Sequence, residues 1–507
     1  MSAWDDEIEK EALKLIRRFE NYARALAEEK RRQQRRTTEV INPLLVLRPK
    51  YWDLADGFDP YLVRARSKRI AHSIQRAVVA RQYKPRNSIL YSVLKPGGGT
   101  RSISVFQVAD AAVSRRIFYA LMQKNRPRMS SHTYAYRDDI SAHDAIHYVS
   151  SELYGVPRVF VAEYDFSKFF DNISHEYLWR IIHDNNFLVT PAEKAVIQAF
   201  LNVPALADNK YVDRSDDTRD CGVPQGTSVS LFLANIAAWE LDRALERLGV
   251  SFVRYADDTL IWSTDYTQIC RAAEALHVMS ERIGAPLNFA KSGGIRLLTP
   301  VGAPAEFQHT GHVDFLGHRI CCTKVSIKPT LVEKIKSRIH KLLYFNLIRA
   351  ARKNSQEPNR LGGVDRDYTA YIWQLRRFLY GDISERGLRR MRSRGTQRRR
   401  FRGLMSFFPL VNDWTLLRYL DRWLLCVTYL ALQKRSRLLT ASGFRSLPTP
   451  HGEPCDSLPS LVGISATTGE KVDLRLPSFI RIGKIIERAV RQHGPTMVAQ
   501  GLRYEYT

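Results

Sequence analysis

Cysteine is scarce and unpatterned in this chain. The six in 507 residues (Cys221, Cys270, Cys321, Cys322, Cys426 and Cys455) form no C-x-x-C pair and lie at no metal-ligand spacing from histidines. Neither a disulfide framework nor a structural zinc site is indicated, and the thiols read as packing residues. Long apolar runs are missing as well: stretches such as 423–432 fall far short of the ~20 residues that span a bilayer. The N-terminus is charged from its fifth residue and has no apolar signal core. Neither end supplies a basic amphipathic membrane helix or a lipidation motif, so no membrane partner is expected and a cytoplasmic location follows by default. No internal repeat is apparent. Acidic residues are also in short supply, 52 against 78 lysines and arginines, for a net charge of +26. A polyanionic partner is the natural reading of that excess, and nucleic acid is the commonest.

What is present is enough for two or three domains, with 44% hydrophobic residues. Residues 4–36 carry Ile8, Leu13, Leu15, Ile16, Phe19 and Leu26 at helical spacing and end in KRRQQRR. This predicts a basic-tipped N-terminal helix whose arginines serve a structured RNA or another subunit. Residues 88–107 read as two strands around a GGG bend, with Lys95 and Arg101 flanking it, and a helical stretch follows. Between about 157 and 320 short β-type runs alternate with longer helical patterns, an α+β core. Beyond Pro329 the chain is largely helical and very basic to about 440. Residues 441–507 hold more proline and glycine and are the least readable part.

The chemistry concentrates in carboxylates. YADD at 255–258 sits between two β-type runs, so Asp257 and Asp258 fall at a hairpin tip. Adjacent aspartates there repel unless a cation neutralises them, and hard oxygen ligands suit magnesium. For a lone DD dipeptide, a solvated turn is the commoner explanation. A second segment changes the balance: in VFVAEYDFSKFFD an apolar strand runs into Asp165, a third ligand for two-metal nucleotidyl transfer. Asp171 reads as a helix N-terminal or structural residue. GVPQGTSVSLFLANIAAWELDRAL is a turn feeding a long helix, with Thr227 or Ser228 as its cap.

The ordered set LKPGGGTRSI, AEYDFSKFFD, GVPQG, YADD, PLNFAKS and FLGH, spread over residues 85–320, resembles the reverse transcriptases of group II introns, retrons and bacterial defence systems. The resemblance implies a right-hand polymerase: fingers at 41–157, palm at 158–325 and a basic helical thumb at 326–440. An N-terminal helical extension (1–40) and a C-terminal extension (441–507) flank these. It implies that Asp165, Asp257 and Asp258, with the Phe166 backbone oxygen, hold two Mg2+ ions, with Mn2+ as the alternative. Phe170 matches the steric gate against a ribose 2′-hydroxyl, and Gln225 and Gly226 match the loop on the incoming nucleotide. Lys95, Arg101 and Lys291 match cations along the triphosphate of a dNTP. Tyr255, Ala256, Phe315, Leu316 and Gly317 match primer-supporting residues.

After such a palm, the arginine-rich segment 376–402, interleaved with Phe378, Tyr380 and Phe401, is expected to hold the template–primer duplex, with Arg398, Arg399 and Arg400 in its densest run. Expected partners are an RNA template, its DNA product, a non-coding RNA, and a second copy or partner protein. Residues 441–507 lack the paired cysteines and histidines of an intron-type endonuclease, and the extra material at both ends tilts the expectation toward antiphage defence. An intron-type maturase and a non-catalytic RNA-binding scaffold are the alternatives. Tyr504 and Tyr506 are candidate priming hydroxyls of low prior.

Overall fold

The computed structural model describes residues 3–42, 45–94, 100–215, 217–288, 292–300, 308–394, 400–466 and 468–499. Its centre is a five-stranded sheet. In chain order the strands among the described residues are β1 (Ser88–Leu94), β2 (Thr100–Val105), β3 (Val159–Tyr164), β4 (Ala205–Leu206), β5 (Ser251–Tyr255), β6 (Asp258–Ser263), β7 (Ile295–Leu298), β8 (His309–Thr310), β9 (Val313–Phe315), β10 (His318–Ile320), β11 (Val325–Ile327), β12 (Val462–Ile464) and β13 (Lys471–Asp473). The central sheet runs β5-β6-β3-β7-β8, so β3, the first of its strands in the chain, has an antiparallel partner on each side. A strand flanked twice needs apolar residues on both faces, and β3 buries Val159, Val161 and Ala162. Three smaller sheets accompany it among the described residues: β2-β1-β4, β11-β10-β9 and the pair β12-β13. The α+β expectation holds, and all four expected strand regions are found.

The first helix, Ala3–Gln34, explains how the N-terminal segment is tied down. Ile8, Ala12 and Ile16, four residues apart, form a buried stripe, while Arg115 of helix Val108–Asn125 donates to Glu11 at 3.0 Å and Arg116 lies over the Trp4 ring. Its far end reaches the C-terminal half of the chain: Thr37 bridges Gln356, and Arg36 is buried 3.6 Å from Asp367. One arginine of the basic tip therefore serves an internal charge network instead of an RNA. Burial lowers its pKa despite the aspartate.

The C-terminal half is a helical bundle around Pro329–Leu343, Arg366–Tyr380 and the long helix Trp414–Ala441. The poorly readable tail is packed into it. Helix Phe479–His493 buries Phe479, Ile482 and Ile486, and Asp421 accepts from the Ser478 hydroxyl and the Phe479 N–H, both at 2.6 Å. The aromatics interleaved with arginines are a correction to the expected binding face. Tyr380 and Phe401 are core residues, and Arg376 donates to Asp473 at 2.8 Å and to the Arg475 carbonyl at 2.6 Å. Arg386, Arg389, Arg390, Arg392, Arg394 and Arg400 are exposed.

Candidate active site

β5 and β6 form the expected hairpin. Tyr255 pairs with Asp258, leaving Ala256 and Asp257 as a two-residue turn. Ala256 holds φ +61°, a left-handed conformation costing a non-glycine residue about 1–2 kcal/mol. Arg254, 1% exposed, lies just before that turn. Its guanidinium donates to both oxygens of Asp242 (2.7 and 2.6 Å), to the Thr133 hydroxyl (3.2 Å) and to the Ala256 carbonyl (3.0 Å). Its backbone is fixed too, since Arg254 N–H donates to His132 and Tyr134 N–H donates to Arg254, each at 2.9 Å. A buried cation so satisfied makes the turn a fixed object.

Asp165 follows β3 directly. Tyr164 pairs with Thr259, which puts Asp165 one residue beyond the ladder, on the side of Asp258. Asn288 secures it, donating from its backbone to the Asp165 carbonyl (2.8 Å) and from its amide to the carboxylate (3.4 Å). Phe166 forms an isolated bridge with Leu287. The backbone thus brings Asp165, Asp257 and Asp258 to one end of the sheet. Among the described residues, no three His, Cys, Asp or Glu side chains are gathered into a metal-holding group. Three aspartates whose backbones lie at one end of the sheet are the hard oxygen donor set that suits a divalent cation such as magnesium.

The GVPQG loop closes the site from the side. Val223 N–H donates to Phe170 (2.7 Å) and Gly222 N–H to Ile173 (2.8 Å), while Ser104 N–H on β2 donates to the Gln225 carbonyl (2.6 Å). At Gly226 (φ +141°) a Cβ would meet the Ser104 carbonyl at 2.0 Å, so only glycine lets loop and strand approach. The side chains continue the link: Arg101 donates to Gln225 (2.9 Å), which donates to Asp171 (3.1 Å). Asp171, in the first turn of the short helix Phe169–Asn172, is the end of a relay from the β1–β2 hairpin. Phe170 is 4% exposed, edge-on to Tyr136 at 6.4 Å. Thr227 occupies the N-cap position of helix Ser228–Ala237 without capping it; Ser114 does so from another helix, its hydroxyl accepting from Val229 N–H (2.9 Å) and donating to Thr227 (2.8 Å).

Phe315 and His318 flank a two-residue turn in which Leu316 and Gly317 hold φ +45° and +79°. Phe315 is buried, and Lys328 N–H donates to the Gly317 carbonyl at 3.1 Å, fastening this hairpin to the start of helix Pro329–Leu343. Lys95, Lys291, Arg398, Arg399, Tyr504 and Tyr506 lie outside the described residues. Sequence reasoning missed Arg254, Asp242 and Ser114. For Arg254 a signal existed, an arginine inside the apolar run Phe252-Val253 just ahead of the carboxylates.

Residues 93–320 match the family model for reverse transcriptase (RNA-dependent DNA polymerase). The core of this chain is a reverse transcriptase domain. The carboxylate strands, the GVPQG loop and β9–β10 all fall inside it. Two curated relatives are similar over about a third of the chain: the putative COX1/OXI3 intron 1 protein of Saccharomyces cerevisiae, 30% identical over 174 residues (32% of this chain, 19% of that protein), and the uncharacterized 91 kDa protein in the cob intron of Schizosaccharomyces pombe, 28% identical over 162 residues (31% and 18%). The chain thus matches less than a fifth of either relative's length. Solved structures similar to it include telomerase from Candida albicans with a TWJ fragment of telomeric RNA (TM-score 0.37, 12% identity, 81% of this chain and 69% of that one) and apo telomerase from Candida tropicalis truncated from its C-terminal domain (TM-score 0.36, 13%, 51% and 60%).

Proposed function

We propose that the chain is an RNA-directed DNA polymerase in which Asp165, Asp257 and Asp258 hold two Mg2+ ions. The observation that carries this reading is that the strand register puts Asp165, Asp257 and Asp258 at one end of β3, β5 and β6, within residues that match a reverse transcriptase domain. Bound ions would activate a primer hydroxyl and neutralise the triphosphate. The chain's own residues supply position: Arg254 and Asn288 fix the carboxylate-bearing backbone, and the Arg101–Gln225–Asp171 relay ties the β1–β2 hairpin to the nucleotide loop. In this reading 41–157 are fingers, 158–325 palm and 326–440 thumb, with the exposed Arg386, Arg389, Arg390, Arg392, Arg394 and Arg400 on duplex phosphates. Residues 1–40 and 441–507 brace that frame. Phe170 is the sugar gate. Lys95 and Lys291 belong to the triphosphate, and Tyr255, Phe315, Leu316 and Gly317 to the primer.

Two settings compete. The material at both ends supports a defence polymerase copying a dedicated RNA in the cytoplasm. The printed names of both relatives, each an intron protein, favour an intron-type polymerase instead. The sequence flanking the gene separates them.

The test is primer extension on an RNA template with Mg2+. Asp257→Asn with Asp258→Asn is expected to abolish synthesis, a loss above about 1,000-fold, or about 4 kcal/mol, with RNA binding intact. In the same assay Phe170→Ala admits ribonucleotides; unchanged sugar selectivity removes the gate. Equal DNA yield from wild type and the carboxylate variant would leave the scaffold reading standing.

A further inference from the structure

A groove of about 660 Å³ lies between helices Pro329–Leu343 and Trp414–Ala441, lined by Lys336, His340, Lys341, Tyr344, Phe345 and Trp423. That volume is within the ~300–1,000 Å³ usual for ligand sites. None of these residues belongs to the central sheet or to the loops around the carboxylates. Tyr344 and Phe345 are 42% and 41% exposed, and Tyr419, against Lys336, is 49% exposed. Lys336 Nζ sits 4.9 Å from the Tyr419 ring centre and 5.7 Å from that of Trp423, while donating to Glu333 at 2.9 Å. Arg349 stacks on Phe345 at 5.6 Å. Lys341 and Arg338 are exposed on the same helix.

The rings are presented by an unusual backbone. Residues Tyr344–Ile348 form a π-turn, a rare geometry frequent at functional sites. The fold commits two buried side chains to it: Asn346 donates to the Leu342 carbonyl (2.8 Å) and to Gln374 (3.2 Å), and Arg435 donates to the Leu347 carbonyl (2.8 Å). A turn held this firmly, with two consecutive aromatic residues exposed at its start, is a built surface.

We propose that this groove binds an unpaired polynucleotide strand, with bases stacked on Tyr344, Phe345 and Trp423 and phosphates on Lys341 and Arg338. Aromatic rings beside cations are the chemistry of single-strand sites. Paired bases keep their faces inside the helix, so exposed rings gain little from a duplex. The excess of 26 positive charges selects a polyanion over an apolar peptide. The groove goes beyond the polymerase reading and is tested by binding alone.

The experiment uses the full chain and fluorescent 15-nucleotide unpaired RNA, unpaired DNA and a hairpin duplex. Tyr344→Ala with Phe345→Ala is expected to weaken binding of the unpaired strand about 10-fold or more, with duplex affinity and primer extension changed less than about 2-fold and an unaltered melting curve. Whether RNA or DNA suffers more identifies the strand. Lys341→Glu, a surface change, is expected to weaken the same strand and flatten its salt dependence. Unchanged unpaired-strand affinity in both variants, or an equal loss on the duplex, overturns the proposal. A wild type that binds the strand but extends no primer sinks the polymerase reading and leaves the groove standing.

Discussion

Two arginines, Arg254 and Arg435, are the largest fully buried side chains in the protein, and they do different things. The Arg254 guanidinium donates to Asp242, to Thr133 and to the turn it precedes, so its partners all bear on one hairpin tip. Arg435 gathers distant pieces. It donates to Asp365 (2.7 Å), Asp367 (3.0 Å), Gln356 (3.0 Å) and the Leu347 carbonyl (2.8 Å), while His451 pairs with Asp365 at 2.9 Å and Arg36 lies against Asp367. Burial opposes ionisation of Asp365, yet Arg435 and His451 hold its carboxyl well below the usual carboxylate range. The same chemical device fixes a carboxylate turn in one half and staples five segments together in the other.

The largest effect expected from breaking this contrast is at Arg435. Arg435→Met leaves Asp365 and Asp367 buried without their common cation, a loss of about 3–5 kcal/mol. Urea denaturation followed by circular dichroism should show the C-terminal half unfolding first. Stability within about 1 kcal/mol of wild type would mean that the network is dispensable.

Asp110 offers a smaller effect and a third arrangement, a buried carboxylate whose hydrogen bonds come from the Tyr83 hydroxyl (2.5 Å) and the Arg86 N–H (3.0 Å). Burial pushes it up to about 6. Its folded pKa lies above the unfolded value of about 3.9, so the folded state binds the extra proton between these pH values. The stability it contributes is present below about pH 4 and is lost as pH rises through 6, up to about 3 kcal/mol. His318 runs oppositely: burial lowers it to about 4, and its stability is lost as pH falls from 6.5 through 4. Melting temperatures of wild type and Asp110→Asn from pH 4.5 to 7.5 isolate the first slope. Parallel curves would refute it.

How far the sequence could be read follows the same division. In 93–320 the strands, the hairpin and the carboxylates were legible because period-two patterns and motif spacing are local. The buried networks were not. Nothing adjacent to Arg435 announces Asp365, and Arg36 looked like part of a surface charge run because its partner lies over 300 residues away. The burial of Tyr380 and Phe401 was out of reach for the same reason: they stand among arginines in the sequence, and it is the distant tail that packs over them. Ser114 capping a helix that begins at 228 is a tertiary fact with no local signature.

The smallest expected change is also the sharpest test of the contrast. Arg254→Lys keeps the buried charge but replaces a planar fork by one ammonium, which cannot meet both Asp242 oxygens, Thr133 and the Ala256 carbonyl together. Asp242 remains paired, so the melting temperature should move little. The left-handed turn at Ala256 loses its donor, and the carboxylates beside it lose their setting. A misplacement of about 1 Å at a reacting centre costs up to about 100-fold. The expectation is therefore a fall in kcat of about 10- to 100-fold, about 1.4–2.7 kcal/mol, with KM for the dNTP nearly constant and a raised Mg2+ requirement. A purely structural arginine would show the reverse, a lower melting temperature with kcat and the Mg2+ dependence of the surviving folded protein unchanged.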